Sequence, residues 1–118
     1  RLLNALEPDT YIAPHKHENP DKREVFILLK GKMRVLIFND CGKITESFNL
    51  NHHENLIVEI PSKTWHTIIS LQEGSVYYEV KDGPYDAVND KNFAPWAPAE
   101  GNHASGEYLN ELKRLTNS

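Results

Sequence analysis

Short runs rich in β-branched and aromatic residues recur along this chain about every ten residues, and the gaps between them are too short for helical crossovers. The runs are Thr10 to Ala13, Glu24 to Lys30, Lys32 to Phe38, Ile44 to Leu50, Leu56 to Ile60, His66 to Leu71 and Ser75 to Lys81. Turn residues punctuate them: Gly31, the hairpin sequence Asn39-Asp40-Cys41-Gly42, and Gln72-Glu73-Gly74. The pattern predicts an all-β, antiparallel sandwich or barrel. After Lys81 the texture changes to Gly-Pro and Pro-Trp-Ala-Pro segments, which read as extended coil wrapping the sheet. Tyr108, Leu109, Leu112 and Leu115 then follow helical spacing, with Ser105 as the expected N-cap.

With 118 residues there is room for one core. The expected layout is a single domain, with a barrel over about residues 9–81, a Pro-rich tail over 82–104 and a C-terminal helix over 105–117. A net charge of -4 argues against nucleic acid or anionic lipid as a partner. The longest apolar runs, Val25 to Leu29 and Val35 to Phe38, fall far short of the roughly 20 residues that a spanning helix needs. Cys41 is the only cysteine, so no intrachain disulfide can form, and a reducing, cytoplasmic setting is expected. No signal peptide is visible, and because the chain starts at Arg1 with Met33 as its only methionine, the native start is expected to lie upstream.

The six histidines are informative by position. His15 and His17 lie two apart in a segment of strand character, so their side chains leave one face with Cα atoms roughly 6.5 Å apart. Two imidazoles so placed can take adjacent positions on one ion. Glu24 shares a face with Phe26 and Leu28, where an unpaired carboxylate would be costly. His66 likewise sits beside Ile68 and Ser70. Glu18 is the rival of Glu24 as the carboxylate donor. His52, His53 and His103 lie in polar loop or tail sequence and read as solvated. Trp65 and Trp96, next to prolines or in turns, read as packing residues before sugar-stacking ones. Arg34, on a face with Leu36 and Phe38, reads as buried and paired, in the pocket or at an interface.

His15-x-His17, then Glu24 followed by six residues and Gly31, resembles the first motif of the cupin superfamily, and Pro61-x-Lys63-x-x-His66 resembles the second. The chain departs from the pattern in its longer gap between His17 and Glu24, in Lys63 and Asn55 at glycine positions, and in Ser70 at an asparagine position. Tyr11-Ile12-Ala13-Pro14-His15-Lys16-His17, Trp65-His66, Glu79 to Tyr85, and Phe93-Ala94-Pro95-Trp96-Ala97-Pro98 with Glu100-Gly101 are similar to the WbuC-type cupin-fold metalloproteins. That resemblance implies a double-stranded β-helix (jelly-roll) barrel, a metal at His15, His17, Glu24 and His66, and a link to bacterial O-antigen or other surface polysaccharide synthesis. It implies no particular reaction.

Three neutral imidazoles and one carboxylate suit one divalent transition metal, Fe, Mn, Co, Ni or Zn, and leave open positions for a substrate. The expected activity is metal-dependent chemistry on a small oxygenated, sugar or nucleotide-sugar substrate, with isomerase, lyase and oxygenase chemistry all open. Tyr77, Glu79 and Tyr85 are the candidate proton-moving residues, and Lys81 is expected near the barrel mouth with Tyr85. The rival functions are a non-catalytic metal-dependent sugar or metabolite binder and a metal-free sugar epimerase. A homodimer is expected through sheet edges or the helix stripe.

Overall fold

The computed structural model describes residues 1–83 and 91–117. Their strands are β1 (Leu2–Leu6), β2 (His15–Lys16), β3 (Glu24–Lys30), β4 (Met33–Phe38), β5 (Ile44–Leu50), β6 (Ile57–Ile60), β7 (Trp65–Ser70), β8 (Ser75–Lys81) and β9 (Asn92–Phe93), followed by helix α1 (Ser105–Thr116). They form two antiparallel sheets, β1-β8-β3-β6 and β5-β4-β7-β2-β9, as the all-β expectation requires. Among the described residues no helix is long and apolar enough to cross a membrane.

Period-two burial builds the space between the sheets. Phe26 and Leu28 of β3, Met33 and Val35 of β4, Ile68 of β7 and Tyr77 of β8 share one cluster with Leu6, Leu50 and Ile60. Each such side chain contributes about 1.5–3 kcal/mol by leaving water. The opposite face of β4 is also covered: Leu36 and Phe38 pack with Leu112 of α1, flanked by Trp65, Trp96 and Tyr108. A strand dressed on both faces explains why Met33–Phe38 reads as an almost unbroken apolar run.

Turn chemistry holds the hairpins in register. Asn39 Oδ1 accepts from the backbone N–H groups of Cys41 and Lys43, both at 2.9 Å. Gly31 has φ +89°, and a Cβ there would lie 2.8 Å from the Cα of Ser75, so both its conformation and its space demand glycine.

The structure corrects several expectations. Thr10 to Ala13 is not a strand: Pro14 has no N–H to extend a ladder, and the segment is tied to the tail instead, Tyr11 donating to Pro98 O at 2.8 Å and Ala13 N–H to Glu100 Oε2 at 3.0 Å. Pairing begins only at His15, while Leu2–Leu6, outside the expected barrel, forms β1 along the edge of β8. The tail is not all coil, since Asn92–Phe93 pairs with β2. Ser105 does not cap α1: it is already helical, and Asn102 Oδ1 accepts the N–H of the N-cap residue Ala104 at 2.8 Å. Leu109 and Leu112 are buried on the chain's own sheet, but Leu115 is 56% exposed, because Thr116 takes the position facing the sheet and accepts from Arg34.

Candidate metal centre

Antiparallel pairing sets His15 of β2 directly opposite His66 of β7 on one sheet, with ring centroids 4.4 Å apart. His17, just beyond β2, adds a third ring 5.2 Å from His15 and 5.6 Å from His66. Glu24 enters from the facing sheet at the start of β3. One donor atom from each of the four lies within 4.8 Å of the others, and all four residues are buried. Glu18 is elsewhere, its carboxylate 2.7 Å from Lys16 Nζ.

Local backbone geometry orients the rings. His15 Nδ1 donates to Ala13 O at 2.9 Å and His66 Nδ1 to Thr64 O at 2.8 Å, each to the carbonyl two residues earlier. With Nδ1 carrying the proton, the Nε2 lone pair of a neutral ring is available as a ligand. Burial, the neighbouring His66 and Lys91 hold His15 well below the usual histidine range, so His15 is neutral. Lys63, at the motif's glycine position, adopts φ +61°, the left-handed conformation that glycine would take, and its N–H donates to His17 O at 3.1 Å. The backbone that glycine would supply is therefore kept despite the substitution.

Glu24 is 1% exposed. Burial alone would raise its pKa, but hydrogen bonds from His17 and His66 outweigh burial and hold the carboxylate well below its usual range. Its Oε1 lies 2.5 Å from His17 Nε2 and 2.8 Å from His66 Nε2. A carboxylate and a carbonyl both only accept, yet His66 meets one at each ring nitrogen. Two such contacts require either a second proton on the ring or a cation shared between nitrogen and oxygen. Three imidazoles and a carboxylate, buried and converging, therefore fit a divalent transition metal.

His15 and His66 also form part of the wall of a cavity of about 220 Å3, together with Tyr77, Glu79 and Lys81 of β8. Burial and the charge of Glu24 push the Glu79 carboxyl above its usual range. Burial likewise pushes the Tyr77 phenol up, leaving it a neutral donor at physiological pH. Tyr85 lies outside the described residues. His52, His53 and His103 are exposed, and Trp65 and Trp96 pack edge to face at 5.9 Å under α1, away from this cavity. Arg34 is paired at the helix seam and not in the pocket, Nε donating to Asn49 Oδ1 at 2.7 Å. The sequence reading missed Leu2, Asn4 and Lys91 as wall residues; alternation in Leu2-Leu3-Asn4-Ala5-Leu6 is the weak signal that placed Leu2 and Asn4 on one face.

A domain family of unknown function, DUF6016, matches residues 1–50. No curated protein matches. Among solved structures, the capsular polysaccharide assembling protein CapF from Staphylococcus aureus superposes with a TM-score of 0.66 at 20% identity over 77% of this chain, which spans 25% of that protein's length. QdtA, a sugar 3,4-ketoisomerase from Thermoanaerobacterium thermosaccharolyticum solved with TDP, is 18% identical, with a TM-score of 0.61 over 98% of this chain and 73% of its own. ChmJ, a 3'-monoepimerase from Streptomyces bikiniensis solved with dTDP-quinovose, is 12% identical, with a TM-score of 0.66 over 97% of this chain and 67% of its own. At these identities the likeness is one of fold, and the fold is that of the cupins.

Proposed function

We propose that the chain is a cupin metalloprotein, nearest to the WbuC type, that binds one divalent transition metal through His15, His17, Glu24 and His66 and converts a small oxygenated, sugar-type substrate. The observation that carries this reading is the convergence of four buried donor atoms within 4.8 Å, two of them from residues, His15 and His66, that also wall a cavity. A divalent cation in that donor set supplies Lewis-acid polarisation of a carbonyl or hydroxyl oxygen. The chain's own residues do the rest. His15 and His66, fixed through Nδ1 to backbone carbonyls, keep the donor geometry preorganised. Tyr77, neutral through burial, donates to a substrate oxygen, and Glu79, whose carboxyl holds its proton more tightly than usual, gives or takes one across the cavity. Relatives named for capsular polysaccharide assembly and for sugar isomerisation support a sugar substrate and a place in surface polysaccharide synthesis. A cytoplasmic homodimer is part of the same reading.

Metal analysis of untagged protein purified without added metal, with His66→Ala beside it, tests this. About one equivalent of a single transition metal, absent from the variant, is expected. No metal in either sample and no uptake on reconstitution would overturn the reading.

A second reading, a metal-free isomerase or epimerase, is favoured by the direct 2.8 Å contact between His66 Nε2 and Glu24 Oε1, which can act as a buried acid-base pair. It predicts turnover of a nucleotide-sugar that exhaustive chelation leaves unchanged, whereas the metal reading predicts its loss. A binder without catalysis would instead show thermal stabilisation by a ligand that is never converted.

A further inference from the structure

The cavity in front of the four-residue cluster has a second wall that the metal reading does not use. β1 pairs with the edge of β8 so that Asn4 lies opposite Tyr77 and Leu2 opposite Glu79, and both Leu2 and Asn4 face the cavity. Asn4 Nδ2 is buried with no hydrogen-bond partner among the described residues. A buried amide donor without an acceptor costs about 1–3 kcal/mol, and Asn4 borders the cavity that a ligand would fill.

The charges around the same space have one sign in excess. Lys81 and Lys91 both line it, with Lys81 Nζ 3.5 Å from Glu79 Oε2, and Lys91 stands close enough to act on the charges of both His15 and Glu79. A divalent ion held by three neutral imidazoles and one carboxylate adds about one further positive charge. The cavity therefore favours an anion. At about 220 Å3 it is smaller than the roughly 300–1,000 Å3 of pockets that take drug-sized ligands, which suits a single sugar-sized unit.

We propose that the substrate is a small oxygen-rich carboxylate of the sugar-acid class, its carboxylate facing Lys91 and Lys81 and one of its oxygens accepting from Asn4 Nδ2. This rests on the metal reading above and narrows its substrate. Asn4 is then a specificity-determining residue supplied by the N-terminal strand. It selects for an acceptor oxygen at a fixed height above the metal ligands.

The test is calorimetric titration of the metal-loaded protein with D-gluconate, D-glycerate, D-glucose and TDP-glucose, with bound metal measured in the same samples. At least one of the two carboxylates is expected to saturate the protein, with D-glucose at least about 10-fold weaker. Asn4→Leu is expected to weaken carboxylate binding about 5-fold or more, as loss of one hydrogen bond implies. Asn4→Asp, of the same size but with the donor replaced by an acceptor, should weaken it further, and it carries the test if Asn4→Leu does not fold. Lys91→Gln should weaken the carboxylates and leave D-glucose unchanged. Equal affinity for D-glucose and D-gluconate, tighter binding of TDP-glucose, or unchanged affinity in the Asn4 variants would overturn the proposal. Metal-loaded protein that binds neither carboxylate also overturns it while the metal reading stands. Protein that takes up no metal removes the metal reading itself.

Discussion

Glu24 on β3 and Arg34 on β4 are both buried charged residues of consecutive strands in facing sheets, but they face different surroundings. Arg34 looks outward, beneath α1, and finds neutral acceptors: Nε donates to Asn49 at 2.7 Å and Nη1 to Thr116 at 3.1 Å. Glu24 looks inward and meets three imidazoles whose donor atoms crowd within 4.8 Å of its own. Arg34 at the helix seam is matched to acceptors of the chain itself. The interior site gathers acceptors, and gathered acceptors call for a cation. Buried polar groups in one small protein thus divide into a set that fastens the fold and a set that is built around something else.

Removing a ligand should separate the two regions most sharply. His66→Ala or Glu24→Gln is expected to abolish metal retention while leaving the α1 seam intact, as seen by metal analysis and near-UV circular dichroism. A cut at the seam should do the reverse: Leu112→Ala, at a fully buried contact with Leu36 and Phe38, is expected to cost about 2–4 kcal/mol in denaturant unfolding with metal content per folded protein unchanged. If Leu112→Ala also stripped the metal, the two regions would be one cooperative unit and the comparison would fail.

The regions should also answer to opposite ends of the pH scale. In the metal-free protein His15 and Glu24 both have folded pKa values below their ordinary ones. The unfolded chain therefore binds more protons, and stability falls as pH drops below about 6.5 for His15, with a further loss below about 4.5 for Glu24. At the seam Tyr108 is pushed up to about 12 by burial, so here the folded state keeps the proton longer. Its contribution is present below about pH 10 and is lost as pH rises from there through 12. Melting temperature against pH should fall less steeply below about 6.5 in His15→Asn, with the loss from Glu24 below about 4.5 kept, and less steeply above about pH 10 in Tyr108→Phe, with the shares of Tyr11 and Tyr77 kept.

The smallest effect belongs to Tyr108 itself. Its hydroxyl is buried without a hydrogen-bond partner among the described residues, so Tyr108→Phe is expected to stabilise the protein by about 1 kcal/mol at neutral pH. A loss of stability instead would mean that the hydroxyl contributes to the seam.

What the sequence disclosed follows from which signals are local. β3, β5 and β8 were bounded correctly because β-branched alternation and tight turns specify them within a few residues. His15, His17, Glu24 and His66 are legible as one set because period-two spacing fixes which face a strand residue takes, and the resemblance to the cupin motifs implies which strands meet. β1 escaped because Leu2-Leu3-Asn4-Ala5-Leu6 has little intrinsic strand preference and is a strand only through pairing with β8. Thr10 to Ala13 had the preference but not the partner, Pro14 ending any ladder there. Ser105 is not the N-cap of α1 because the helix already includes it: the N-cap is Ala104, which makes no side-chain cap and whose own N–H donates to Asn102 Oδ1. Long-range pairing, in short, decided where local chemistry was silent, and it decided the cavity's second wall.

The central claim is that the four interior residues hold one cation together. X-ray absorption fine structure of the metal-loaded protein measures this directly, because imidazole rings give a distinctive multiple-scattering signal. The account predicts a first shell of nitrogen and oxygen atoms that includes three imidazoles, falling to two in His15→Ala. A shell with no imidazole, or one that His15→Ala leaves unchanged, would place the metal elsewhere and contradict the account.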